Sequence, residues 1–99
     1  MPRKSIEDGF RERGYLEPYL NIGTAKDFYL KQWHDSRLAL HVIEGALGVT
    51  LEGSDHMQVV VPYQWLEIEA GQEYRRQVIG KAGCRYYESF EQTALTAAA

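Results

Sequence analysis

One cysteine, Cys84, is all that the chain's 99 residues contain. A lone cysteine can neither close an internal disulfide nor build a cysteine-based zinc site. No apolar run approaches the ~20 residues that a membrane-spanning helix needs. The opening residues, Met1-Pro2-Arg3-Lys4-Ser5 with Glu7 and Asp8 behind them, lack the apolar core of a secretory signal. These absences lead to the expectation of a cytoplasmic protein with no membrane partner. Positive charge is also in short supply: 11 Lys and Arg stand against 14 Asp and Glu, for a net charge of −3. That balance offers no general attraction to nucleic acid, so no nucleic-acid partner is expected. There is no internal repeat and no low-complexity linker.

What is present suits one small domain. Hydrophobic residues make up 44% of the chain, enough for a modest core. Three zones are expected. Residues 1–14 read as an N-terminal arm or short helix. Within it, Ser5 and Asp8 have capping-box spacing, Gly14 stands where a helix would stop, and Gly9 weakens the pattern. This zone is either a docking arm or a lid over the body. Residues 15–91 form the body. Runs of β-formers at 28–34, 37–44, 46–52, 57–61, 64–69, 73–79 and 84–90 are separated by turn residues such as Gly45, Gly53, Pro62, Gly71, Gly80 and Gly83. Short strands at spacings near ten residues argue for an all-β sandwich or barrel. Residues 92–99 read as a flexible tail, too short to hold a helix alone.

Alternation assigns the strand faces. Leu38, Leu40 and Val42 alternate with Arg37, Ala39 and His41. Leu47, Val49 and Leu51 alternate with Ala46, Gly48 and Thr50, and Leu66 and Ile68 alternate with Trp65, Glu67 and Glu69. Period two sends the aliphatic series inward and the other series outward. Burying each such aliphatic chain contributes roughly 1.5–3 kcal/mol.

The stretch His41-Val42-Ile43-Glu44-Gly45-Ala46-Leu47-Gly48-Val49-Thr50-Leu51-Glu52-Gly53 resembles the central hairpin of the cupins. Residues 63–74 are similar in spacing to the second cupin motif, G-x5-P-x-G-x2-H. Tyr63 and Glu69 take the places of the first glycine and the proline, Gly71 keeps the second glycine, and Tyr74 stands at the histidine position. The first motif, G-x5-H-x-H-x3-E-x6-G, also fits in length. Gln32 and His34 stand at its histidine positions, Leu38 at its glutamate position and Gly45 at its closing glycine. The likeness covers roughly residues 28–91. It implies a cupin-like antiparallel β-barrel of the jelly-roll type, with the short helix added at the N-terminus.

In cupins the resemblance implies three histidines and a glutamate around a divalent metal. Here only His34 keeps its register. Gln32 offers a weak neutral oxygen, Leu38 offers none, and Tyr74 would have to ionise against a pKa near ~10. The expectation is a barrel with no tightly bound metal, a divalent ion at His34 being the alternative. Placing 32, 34 and 74 inward as in the family, alternation adds Arg76, and Arg75 points out. Gln32, His34, Tyr74 and Arg76 are therefore the expected ligand-binding residues. Arg76 either holds an acidic small molecule or makes an internal salt bridge, for instance to Glu88. Cys84 reads as a small buried residue, since no histidine neighbours it in sequence. Glu67 and Glu69 share the outward face, with nothing in the sequence to mark them as an acid–base pair.

Aromatic residues are plentiful, at 12% of the chain. Trp33 and Tyr29 fall on the face opposite Gln32, and Trp65 and His41 on the outward face. A homodimer is expected through Tyr29, Trp33 and Trp65 as anchors with His41 nearby, the alternative being that residues 15–22, or the N-terminal segment, fold over these rings within one chain. Three functions follow: a cupin-like protein binding a small polar or acidic molecule, a metal-dependent enzyme of dioxygenase or isomerase type, or a dimeric interaction module with a filled barrel. The fold alone does not choose among them.

Overall fold

The computed structural model describes residues 3–24 and 30–92. Tyr29, the beginning of the expected 28–34 strand and the tail at 93–99 lie outside the described residues.

A helix, α1 (Arg3–Glu12), opens the chain and stops where Gly14 turns to a φ of 87°, a left-handed backbone that glycine adopts without strain. It begins before Ser5, so Ser5 is not its cap. Asp8 bonds Arg11 one turn on, at 2.7 Å, instead of closing a capping box. Seven strands follow: β1 (Tyr19–Gly23), β2 (Leu38–Glu44), β3 (Ala46–Leu51), β4 (Met57–Val60), β5 (Trp65–Ile68), β6 (Tyr74–Ile79) and β7 (Cys84–Phe90). They pair antiparallel in two sheets, ordered β1-β7-β2-β5 and β4-β3-β6.

Two expectations about strands are corrected. β1 was not anticipated; it pairs with β7, Tyr19 opposite Glu88 and Asn21 opposite Tyr86. Residues 30–34 form no strand. Their link to the sheet is a bridge from Gln32 to Tyr74, with reciprocal backbone hydrogen bonds of 2.8 and 2.9 Å.

The inward aliphatic series meet between the sheets. Leu38, Leu40, Val42, Leu47, Val49 and Ile68 form the main core with Val60, Val78, Tyr74, Cys84 and Tyr86. Gly45 sits at the tight turn from β2 to β3, with a φ of 79°. A Cβ there would lie 2.1 Å from the Gly83 carbonyl oxygen, so no side chain fits. A second cluster lies on the outer face of the larger sheet, where Ile6 and Phe10 of α1 and Tyr15 pack on Ala39 and Tyr87, with Ile43 and Trp65 at its margin. α1 is thus a lid on the sheet. Among the described residues no helix is long and apolar enough to cross a membrane.

Candidate functional site

Alternation that fills the core in one half of the sandwich opens a polar cavity in the other. Along β6, Tyr74, Arg76 and Val78 point inward; along β7, Tyr86 and Glu88 do so. β1 brings Tyr19 and Asn21 to the same side, opposite Glu88 and Tyr86. The Gln32 bridge to Tyr74 seats the 30–34 segment beside β6, and the Gly71 N–H donates to the His34 carbonyl at 2.8 Å. Together these line a cavity of about 270 Å³, open to solvent on one side, formed by Tyr19, Asn21, Gln32, His34, Arg76, Tyr86, Glu88 and Phe90.

Three of the four expected ligand-binding residues therefore line one space. Tyr74 does not; it is fully buried behind the lining and touches two of the others. Its hydroxyl lies 2.7 Å from His34 Nε2 and accepts from Arg76 Nη2 at 2.8 Å. Arg76 makes the internal salt bridge: Nη1 donates to Glu88 Oε1 at 2.9 Å and to Tyr86 Oη at 3.1 Å. Asn21 Nδ2 also donates to Glu88 Oε1. The His34 ring stands edge-on to Phe90, centroids 4.9 Å apart.

An arginine only donates, so the Tyr74 oxygen accepts from Arg76. The same hydroxyl shares a second hydrogen bond with His34 Nε2. Burial lowers the His34 pKa, and the Arg76 charge lowers it further. Burial raises the Tyr74 phenol, against the opposing pull of Arg76. Tyr19 is pushed up to about 12, by burial first and by Glu88 second. Burial works against the Arg76 charge, but the bonds and charge of Glu88 outweigh it and its pKa is raised. The Arg76–Glu88 ion pair is thus the charged centre of the cavity.

This donor set does not fit the divalent metal that the cupin resemblance implies. His34 is the one imidazole in the cavity, and its Nε2 is engaged with Tyr74. The lining carboxylate, Glu88, is held by Arg76, whose guanidinium places a permanent positive charge where a metal's partners would converge. Among the described residues, no three His, Cys, Asp or Glu side chains gather in a metal-binding group.

The expected dimer residues separate. His41 and Trp65 do lie on the outer face; His41 is buried, which corrects its place beside the interface anchors, and Trp65 is half-buried under α1. His41 is 1% exposed and stacks on Trp65, ring centroids 4.3 Å apart. Phe10 packs on Trp65 at 4.7 Å, and Arg13 lies 3.9 Å over its ring. Trp33 is 60% exposed. Cys84 is buried and its thiol is pushed up to about 11, by burial and then by Glu44, which disfavours the thiolate at neutral pH.

Sequence reasoning missed Tyr19, Asn21, Tyr86 and Phe90, and weighed Glu88 only as a partner for Arg76. Period-two alternation along residues 84–90 carries the signal for Tyr86, Glu88 and Phe90. Nothing comparable marks Tyr19 and Asn21, because β1 does not read as a strand.

No protein-family model matches the chain, and no curated protein does. Solved structures do match. A cupin-2 domain protein from Shewanella frigidimarina shares 18% identity over 77% of this chain and 69% of its own, with a TM-score of 0.64. KdgF from a Halomonas species shares 12% over 81% and 73%, with a TM-score of 0.65. The cupin domain of Cnp3 from Schizosaccharomyces pombe shares 15% over 88% and 62%, with a TM-score of 0.73. At such identities the likeness is one of fold, and that fold is the cupin fold.

Proposed function

We propose that this cupin-fold domain binds a small polar or acidic molecule in the cavity and does so without a tightly bound divalent metal. One observation carries the reading: Gln32, His34 and Arg76 line a single space of about 270 Å³ together with Tyr86 and Glu88. Small-molecule sites join a few oriented polar groups to apolar walls, and here Phe90 and the tyrosine rings supply the walls. Gln32 and His34 are the groups that reach a ligand, and Tyr74 positions His34 and Arg76 from behind. The resident guanidinium and lone imidazole speak against the metal-dependent enzyme reading. A cytoplasmic setting is part of the same proposal and is open to cell fractionation.

Ligand-observed NMR with uncharged polyols, hydroxy acids and small amides tests the binding. Saturable binding of one class, weakened by Gln32→Leu in a folded variant, is the expected result. Failure of every class to bind the folded protein overturns the reading.

We also propose a homodimer, for which the exposure of Trp33 (60%) and Leu30 (80%) is the support.

A further inference from the structure

We propose that the cavity selects uncharged, hydroxyl-rich molecules the size of a four- or five-carbon polyol and discriminates against small anions. The inference rests on the binding reading above and narrows it.

Charge comes first. Arg76 and Glu88 are the charged residues of the lining, and they pair with each other at 2.9 Å. Each terminal guanidinium nitrogen carries two hydrogens, and each has two acceptors. Nη1 faces Glu88 Oε1 at 2.9 Å and Tyr86 Oη at 3.1 Å. Nη2 faces Tyr74 Oη at 2.8 Å and Glu88 Oε2 at 3.5 Å. A carboxylate or phosphate could gain these donors only by displacing the Tyr74 or Tyr86 oxygen or by dislodging Glu88, which would leave a buried carboxylate without its cation. His34, whose Nε2 is engaged with the Tyr74 hydroxyl, brings no compensating charge at neutral pH, because burial and the Arg76 charge lower its pKa.

Hydrogen-bonding demand points the same way. Gln32 Oε1 is buried and has no hydrogen-bond partner in the structure. It is an acceptor in need of a donor. The oxygen is shielded beneath the lining, so a ligand meets it after a shift of the Gln32 side chain; a hydroxyl then supplies a donor, whereas an ionised carboxylate has no hydrogen to give. Around it, Tyr19, Tyr86 and Phe90 present ring faces to the C–H edges of such a molecule. At roughly 30 Å³ for each water-sized group, about 270 Å³ accommodates some nine heavy atoms.

Calorimetric titration of the whole protein tests this, with erythritol and xylose as uncharged probes and acetate, malonate and inorganic phosphate as anions. The expected result is saturable binding of an uncharged probe, with every anion at least about tenfold weaker. The Glu88→Gln variant keeps the shape of the side chain and removes its charge, so anion affinity should rise by about tenfold or more. An anion that binds the native protein as tightly as the polyols overturns the selectivity while leaving the binding reading intact. No binding of any probe to either protein overturns both. If Glu88→Gln does not fold, the wild-type comparison between anions and polyols decides alone.

Discussion

Arg76 and Glu88 both give up water on folding, and the charge of each is compensated by the other at 2.9 Å. Removing one partner leaves the other buried and unpaired, whereas removing both leaves only a packing defect. Arg76→Met should therefore cost about 3–5 kcal/mol of stability. Adding Glu88→Leu to it should recover most of that loss, and urea denaturation of the single and double variants checks the cycle. Two histidines set the acid limit. His34 is lowered by burial and then by Arg76. His41 is lowered by burial, with the Gln64 backbone opposing and Arg13 adding, and neither of its ring nitrogens has a hydrogen-bond partner in the structure. Each has a folded pKa below its unfolded value near ~6.5, so the unfolded chain binds protons first as pH falls. Their contribution is intact above that unfolded value and is lost as pH drops below it towards the folded pKa values. Thermal unfolding followed from neutral to mildly acidic pH should show the decline, and His41→Gln should flatten it. An unchanged slope in that variant would remove His41 from the account.

At the scale of elements, α1 is held by what it covers. Phe10 is fully buried between Tyr15, at 6.3 Å, and Trp65, at 4.7 Å. Gly9 lets the helix approach: a Cβ there would stand 2.9 Å from the Trp65 ring. Phe10→Ala should cost about 3–5 kcal/mol and expose Trp65, which shifts its fluorescence to the red. If stability and emission stay unchanged, α1 does not depend on this contact. The same contact explains which parts of the molecule were legible in sequence. Strands β2, β3 and β5 announce themselves, because each carries an aliphatic series at period two facing the main core, and β6 and β7 do so with Arg76 and Glu88 interrupting the apolar series; β4 brings only Val60 to the core. β1 reverses the usual pattern. Its apolar Leu20 and Ile22 face outward and are exposed, and its inward Tyr19 and Asn21 meet a polar cavity. No hydrophobic alternation marks it. Gln32, His34 and Arg76 were readable because motif spacing and alternation agreed on their side of the sheet. Alternation gives a face but says nothing of what lies over it. That is why His41 and Trp65 were placed on the outer face without the seat that Trp65 gives α1 being read.

For the whole molecule, the question is which apolar surface stays open once α1 is docked. The helix covers the outer face around Ala39, Tyr87 and Trp65. It leaves Ile22 on the edge strand β1 and Trp33 exposed. A tryptophan left in water gains nothing for the fold, and a second copy of the chain would bury it; symmetric pairs are the commonest assemblies of soluble proteins. Trp33 and Trp65 then have separable roles. Truncating an aromatic anchor in an interface often costs upward of ~2 kcal/mol of association, so Trp33→Ala should shift the dimer towards monomer with little change in fold stability. Trp65→Ala removes part of the α1 seat, and should lower stability by about 3 kcal/mol while leaving the mass of the folded species alone. Light scattering across a dilution series, paired with denaturation of both variants, distinguishes these effects. A wild-type chain that is monomeric at high micromolar concentration defeats the dimer. A dimer that survives Trp33→Ala but not Trp65→Ala would mean that α1, and not the face bearing Trp33, joins the two copies.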